Sequence, residues 1–325
     1  MTQMLRRQLI QGLAGGALSA LAPALVAQAR YPSRPLSLVV PFAAGGGGDT
    51  TARLLAKGLA ERLDGTVVVD NRAGASGNIG AAYVMRSAPD GYTLLSLSST
   101  YGIQAAVGKP GFDAVADMQP VILATRDPLV LLVHPSAPWR SARELAAAAQ
   151  KAPGTISHGS AGAGSIAHLG MEELAVAMGA KFLHVPYKGS SAAMTDLLGG
   201  NVQLVLTTTT FAGAYVKSGK VRALGLSGAK RLSVLPAVPT FDEQGYAYAV
   251  FDWKAVAGPK GMPAEVTARL NKSLNEVLAS PEVSARFEAD GSTVVGGAPE
   301  LLTQTLRADI ARWQALVGRT GIRLE

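Results

Sequence analysis

Residues 36–63 read LSLVVPFAAGGGGDTTARLLAKGLAERL, and the reading of this stretch decides the fold. Leu36–Val40 is a run of the kind that forms a buried strand, and Pro41 stops it. Four consecutive glycines, Gly45–Gly48, make a turn whose backbone a ligand can approach closely, because no Cβ stands in the way. A helix follows, opened by Asp49 or Thr50, with Leu54, Leu55, Leu59 and Leu63 at helical spacing on its apolar side. The first amides of that helix have no internal partner and carry the positive end of its dipole. Such a turn is a place to hold an anion.

The same physics recurs at residues 156–178. A strand candidate ending at Ser160 runs into the Gly/Ser turn Ala161–Ser165 and then a helix over Ile166–Met178, with Ser165 as N-cap. Elsewhere, strand-like runs at 66–70, 93–97, 121–125, 129–133, 181–186, 202–207 and 221–227 alternate with helical patterns at 79–87, 142–149, 190–198, 264–279 and 299–317. Near-continuous apolar strands separated by helices indicate an α/β protein with mostly parallel sheets covered on both faces. In the last helix Leu302, Leu306, Ile310, Trp313 and Val317 mark the buried face. Ligands of open α/β sheets sit beyond the carboxyl ends of the strands, where both glycine turns emerge.

The front of the chain carries Arg6 and Arg7, an uncharged run from Leu9 to Ala27, and the small-x-small triplet Ala27–Gln28–Ala29. That is the layout of an export signal spanning 1–29, cleaved after Ala29 and served by the Sec or the twin-arginine route. An uncleaved anchor is the competing reading, weakened by the glycines and Pro23 inside the run. Removing the segment takes away two arginines and no acids, so the net charge falls from +7 to +5. The basic residues are scattered without aromatic interleaving, which argues against nucleic acid. The absence of cysteine removes disulfides and thiolate metal sites.

Enzyme motifs match poorly. Residues 162–167, GAGSIA, fit a dinucleotide turn, but 181–188 lack the acidic residue expected about 20 positions on. No hydrolase elbow G-x-S-x-G and no phosphate loop G-x-x-x-x-G-K-[ST] occurs in the sequence. His134, His158, His168 and His184 lie on separate elements without metal-binding spacing, so no metal and no cofactor is expected. The alternative reading is an exported serine hydrolase or esterase using Ser160 or Ser165 with one of these histidines.

Several further pieces stand in a characteristic order. They are YPSRP at 31–35, PF at 41–42 with 45–49, NRAGASGNIG at 71–80, PDGYT at 89–93, 159–165 with His168–Leu169, HVPYKG at 184–189, GKVRAL at 219–224 and VPTF at 238–241. On these motifs the chain resembles the Bug-type periplasmic solute-binding receptors of tripartite tricarboxylate transporters. The resemblance covers essentially the whole chain beyond the export signal. It implies a two-lobed type II periplasmic-binding-protein (Venus flytrap) fold, each lobe a mostly parallel sheet flanked by helices, without catalytic activity. It implies a small carboxylate as ligand, large and small membrane subunits as partners, and a periplasmic monomer. The expected lobes are 30–133 with 245–325 and 134–244, since 134–138 and 236–245 break the pattern. A sensor feeding a signalling partner is a further alternative.

Carried over residue by residue, the resemblance points to Phe42, Ala44, Gly45, Gly46, Asp49 and Asn78 as ligand-binding positions. On the facing side it points to Ser160, Gly162, Gly164 and Ser165, with Thr207 and Thr208 reaching the same cleft. The chain departs from the family pattern at Ala44–Gly45, where many relatives have proline-glycine, and at Thr207, where many have an acid. Asp49 would repel an anion it faced, so its first role is to fix the loop. Charge-assisted hydrogen bonds are worth about 1.5–3 kcal/mol net, and a helix N-terminus adds about 0.3–1 kcal/mol. Three or four such contacts reach the roughly −8 kcal/mol of micromolar binding.

Overall fold

Strand β1, Leu36–Val40, ends at Pro41, and helix α1 runs from Gly47 to Leu63. The computed structural model describes residues 31–108 and 110–322, so the expected export signal lies outside the described residues. The helix starts earlier than Asp49, because Gly46 takes the extended N-cap conformation and its carbonyl already accepts the first helical bond, from Thr50 N at 3.0 Å. Gly45, at φ +83°, makes the bend that only a residue without Cβ adopts freely.

The other strands are β2 (Val67–Asn71), β3 (Thr93–Ser98), β4 (Met118–Val133), β5 (Ser157–Ser160), β6 (Leu183–Pro186), β7 (Leu204–Thr208), β8 (Arg222–Leu226), β9 (Phe251–Pro259) and β10 (Thr293–Val294). The helices after α1 are α2 (Asn78–Met85), α3 (Ser99–Val107), α4 (Ala142–Lys151), α5 (Ile166–Met178), α6 (Ser190–Leu198), α7 (Thr209–Lys217), α8 (Ala264–Leu278), α9 (Pro281–Ala289) and α10 (Glu300–Thr320). Strand order is β2-β1-β3-β9-β4-β7-β5-β6, with β8 and β10 also on β4. The outer groups β2-β1-β3 and β7-β5-β6 are parallel, as the apolar runs suggested. The central β3-β9, β9-β4 and β4-β7 pairings are antiparallel, which the alternating pattern did not reveal.

Strand β4 joins the two groups. The separate runs expected at 121–125 and 129–133 are one strand that tolerates Pro120 and Pro128. Its residues 118–128 pair with β9, whereas Leu129–Val133 pair with β7 on one side and Val130–Val133 with β8 on the other. The exchange of partners falls at Pro128–Leu129, ahead of the break expected near Val133–Trp139. Pro128 has no N–H to give the ladder, so a strand can change neighbours there at little cost.

Apolar residues fill the faces of both groups. Val39, Leu95, Leu97, Leu123 and Trp253 pack with Leu302 and Leu306 of α10. Leu129, Leu131, Leu169 and Leu206 pack with Phe241, Tyr248 and, from the other end of α10, Trp313 and Leu316. The C-terminal helix therefore spans both sheets, and Arg312 fixes it to α5 through Glu173 at 2.7 Å. Its buried face is Leu302, Leu306, Trp313 and Leu316, with Ile310 and Val317 half-buried. No helix among the described residues is long and apolar enough to cross a membrane.

The seat of α1 depends on a small residue. A Cβ at Gly58 would stand 2.6 Å from Val277 Cγ1 on α8, a β-branched side chain that cannot swing away. Gly58→Val should separate α1 from α8 and lower stability by roughly 1–3 kcal/mol. Urea unfolding followed by circular dichroism measures this, and an unchanged midpoint would contradict the packing.

Candidate functional site

The two glycine turns face each other across one cavity. It is lined from one sheet by Pro41, Phe42, Ala43 and Gly46–Asp49 after β1, and by Ser96–Ser98 and Thr100 around the end of β3. From the other sheet come Ala161 and Ser165–Ala167 after β5, Ser190, and Thr207–Thr208 at the end of β7. Asp252 and Lys254 of β9 complete the wall, around a space of about 60 Å³ for water-sized centres. The starts of α1, α3, α5, α6 and α7 thus all open on the same space. Each brings amides without helical partners and a positive dipole end.

Local sequence explains each start. Gly46–Gly48 leave the α1 turn bare; a Cβ at Gly46 would meet nothing closer than Ala43 O at 3.9 Å. Asp49 Oδ2 accepts from Gly45 N and from Arg53 Nε, both at 2.9 Å, and its Oδ1 accepts from Asn71 Nδ2 at 2.9 Å. Burial pushes its carboxyl up, but these bonds outweigh burial and hold it below the usual carboxylate range. Asp49 touches the cavity with both oxygens already engaged, as a loop-fixing residue should. Ser165 caps α5 by accepting from His168 N at 3.3 Å.

The turn Ala161–Ser165 is gripped from the opposite sheet. Ser76 Oγ donates to Ala163 O at 2.5 Å, and Gln104 Nε2 donates to Gly164 O at 3.1 Å. Ile166 N donates to Thr100 Oγ1 at 3.1 Å. Ala75 and Ser76 hold φ of 46° and 50°, a left-handed conformation costly for residues with a Cβ. Gly162 sits at φ +133°, and a Cβ there would press on Ser76 Oγ at 2.8 Å. These contacts describe a cleft that is shut.

Of the residues expected at the site, Phe42, Gly46, Asp49, Ser165, Thr207 and Thr208 line the cavity. Ala44 and Gly45 do not line it, and a Cβ at Gly45 would stand 3.5 Å from Ser191 Oγ on α6. Asn78 bonds Gln104 Oε1 at 2.9 Å and so supports the grip on the second turn. Gly162 and Gly164 shape that turn, and Ser160 is buried beneath it. Sequence reading missed Gln104, Thr100, Ser190, Asp252 and Lys254. Thr100 and Ser190, polar residues at helix starts, carried a readable signal; the others are visible only once the strands pair.

Beneath the second turn three imidazoles pack together. His158 on β5 and His184 on β6 are register partners, and His168 on α5 stacks on His184 with centroids 3.6 Å apart. His184 Nε2 bonds Ser160 Oγ at 2.6 Å, and His168 Nδ1 accepts from Gly164 N at 3.0 Å. Neither ring nitrogen of His158 has a hydrogen-bond partner among the described residues. Burial lowers all three, to about 3 for His168 and about 4 for His184, and well below the ordinary range for His158. Neighbouring imidazoles lower His158 and His168 further.

The comparisons with known proteins bear on this geometry. The family described as "Tripartite tricarboxylate transporter family receptor" matches residues 51–322. The chain belongs to that family. The receptor resembles the solved periplasmic binding protein BugD at 36% identity and a TM-score of 0.86, over 90% of this chain and 99% of that one. It resembles Rpa4515 of R. palustris, solved with adipate, at 33% identity and a TM-score of 0.87, over 90% and 99% of the two chains. It resembles MatC of Rhodopseudomonas palustris, solved with bound malate, at 30% identity and a TM-score of 0.85, over 88% and 100%. This is a Bug-type receptor with the two-lobed periplasmic-binding-protein fold.

Two predictions rest on the geometry. Gly46→Val has room and should fold with an unchanged melting temperature while losing most carboxylate affinity. Gly47→Val should instead hold the cleft open, because its Cβ would stand 2.8 Å from Thr208 Oγ1. Calorimetric titration and melting separate the two, and full binding by Gly46→Val would reject the cavity. The histidines give a pH signature. Their folded-state values lie below the unfolded value of about 6.5, so the unfolded chain binds the extra protons. Stability is full above that value and falls with pH through about 4, where His184 titrates in the folded state, to about 3, where His168 does. His158→Phe removes one such proton and should make the acid loss shallower by up to about 1.4 kcal/mol per pH unit; an identical slope would contradict the stack.

Proposed function

We propose that this chain is an exported receptor that shuts two lobes on a small carboxylate and delivers it to the large and small membrane subunits of a tripartite tricarboxylate transporter. The observation that carries the reading is the convergence of the α1, α3, α5, α6 and α7 starts on one cavity. Backbone amides of Gly46–Asp49 on one side and Ala167 on the other grip the carboxylate, the Ser165 and Ile166 amides being taken by Gly162 O and Thr100 Oγ1, and Phe42, Leu97 and Ile166 receive its apolar part. The lobes are 30–133 with 245–325 and 134–244. Residues 1–29 act as the export signal, and the mature receptor works as a periplasmic monomer.

The ligand favours the shut form because only there do both turns reach it. Adipate and malate, held by two structurally similar receptors, are the natural first probes.

One contact favours a second reading, hydrolysis by Ser160 with His184 as base at 2.6 Å. Access argues against it. Ser160 is 1% exposed, its Oγ is also engaged with Gly162 N at 3.1 Å, and it does not line the cavity. A nucleophile must come within about 3–3.5 Å of its carbonyl, and no substrate reaches that atom while the fold stands.

Saturating adipate or malate should raise the melting temperature and reduce the radius of gyration in small-angle scattering, with no turnover of p-nitrophenyl esters. A constant radius with bound acid would overturn closure, and ester turnover lost on Ser160→Ala would favour the hydrolase.

A further inference from the structure

Lys254, 3% exposed, is among the residues lining the cavity, and it is the only lysine or arginine among the described residues that do. Its Nζ bonds Asp252 Oδ2 and lies 3.5 Å from Asp127 Oδ2. Asp252 Oδ1 accepts from Ser99 Oγ at 2.6 Å and Ser99 N at 3.2 Å, so this carboxylate is fully engaged. Asp127 is completely buried. Its Oδ1 accepts from Thr210 Oγ1 at 3.0 Å and from Ser292 Oγ, while its Oδ2 has no hydrogen bond among the described residues.

Two imbalances follow. An ammonium has three N–H bonds to give, and Asp252 takes one at bonding distance. One carboxylate would balance the cation, yet two stand against it, leaving the ionised cluster at −1. The surroundings do not correct this. Asp252 and Asp127 are register partners across β9 and β4. On β4 Arg126 is exposed, and on α10 Asp309 takes Trp253 Nε1 at 2.6 Å while Arg312 pairs with Glu173. Thr210 of α7 and Ser292 before β10 bring only hydroxyls.

We propose that Lys254 anchors the second oxygen-bearing group of the bound acid, and that Asp127 Oδ2 takes one proton from solvent when that group is a carboxylate. This rests on the receptor reading above and names its ligand class: short acids with an oxygen acceptor at the far end rather than plain alkyl acids. A second carboxylate entering the cavity meets a cluster of its own sign, and like charges in a low-dielectric interior repel strongly. Forming an O–H bond on Asp127 brings the cluster to neutrality and leaves Lys254 free to donate. Burial already pushes the Asp127 carboxyl up, against the pull of Lys254. A hydroxyl or carbonyl at the far end needs no proton. A plain alkyl acid leaves the spare N–H bonds of Lys254 unanswered.

Isothermal titration near neutral pH, in phosphate and in Tris, counts the protons exchanged, with adipate, malate and hexanoate as probes. The full-length mature receptor should take up close to one proton per adipate and none per hexanoate, and bind adipate at least about tenfold tighter. Asp127→Asn should bind adipate without proton uptake, which also separates Asp127 from the three histidines. Lys254→Met in that background should lose the preference for adipate over hexanoate. Adipate binding without proton uptake in the unaltered protein, or a preference kept without Lys254, overturns the inference while the receptor reading stands. Failure of all three acids to bind overturns both.

Discussion

Every helix that begins at the cleft leaves backbone N–H groups that no helical carbonyl can reach, and the fold aims them at one point. This follows from the topology. In parallel groups such as β2-β1-β3 and β7-β5-β6, each strand hands over to a helix at its carboxyl end, so the helix starts gather on one edge. Joining the groups edge to edge through β4 and β9 brings those edges together. The residues at the starts then have little freedom of choice. They are bare, as at Gly46–Gly48, or short and hydroxylated, as at Ser98, Ser165, Ser190 and Thr208. A larger side chain would cover the amides, and a basic one would compete with them for the anion.

The grip that shuts the cleft uses a different currency, bonds between the lobes that need no ligand. Ser76, Gln104 and Thr100 each hold part of the Ala161–Ile166 segment. Hydrogen bonds of this kind contribute about 0.5–1.5 kcal/mol net, whereas each left-handed residue at Ala75 and Ser76 costs of order 1–3 kcal/mol. The bonds and the local backbone cost are of similar size, so this latch is a modest one. On the proposed function, a carboxylate spanning both turns would add contacts that exist only when the cleft is shut and so favour that form.

Much of this was legible in the sequence where the signal is local. The strand–glycine turn–helix units at 36–63 and 156–178 stand where their apolar spacing put them, and Ser165 is the cap it looked like. Signals that depend on distant pairing were not legible. Residues 251–259, FDWKAVAGP, place Asp252 and Lys254 inside what would otherwise be an apolar run, so β9 went unread, and with it Asp252 and Lys254. Helix α3 hides in polar and small residues at 99–107 that carry little amphipathic pattern. Asp127 looks like an ordinary loop acid between Arg126 and Pro128, and only the β4–β9 register reveals that it faces a lysine. Neither glycine turn contains a lysine or arginine, and the cation at the cavity, Lys254, comes from β9.

That division bears on what distinguishes one receptor of this fold from another. Peptide amides grip any carboxylate alike, because every backbone offers the same N–H. Receptors solved with adipate and with malate share this backbone at TM-scores of 0.87 and 0.85 despite sequence identities near one third. Discrimination must therefore come from the few side chains that meet the rest of the acid. In this chain those are Phe42, Leu97 and Ile166 on the apolar side, Thr207 and Thr208 with hydroxyls, and Lys254 with charge. Of these, Lys254 can discriminate most strongly, since a buried polar group left unpaired costs more than a missing methylene. Its two carboxylate partners sit where β4 exchanges β9 for β7. The group proposed to read the far end of the acid thus sits where β4 changes its strand partners.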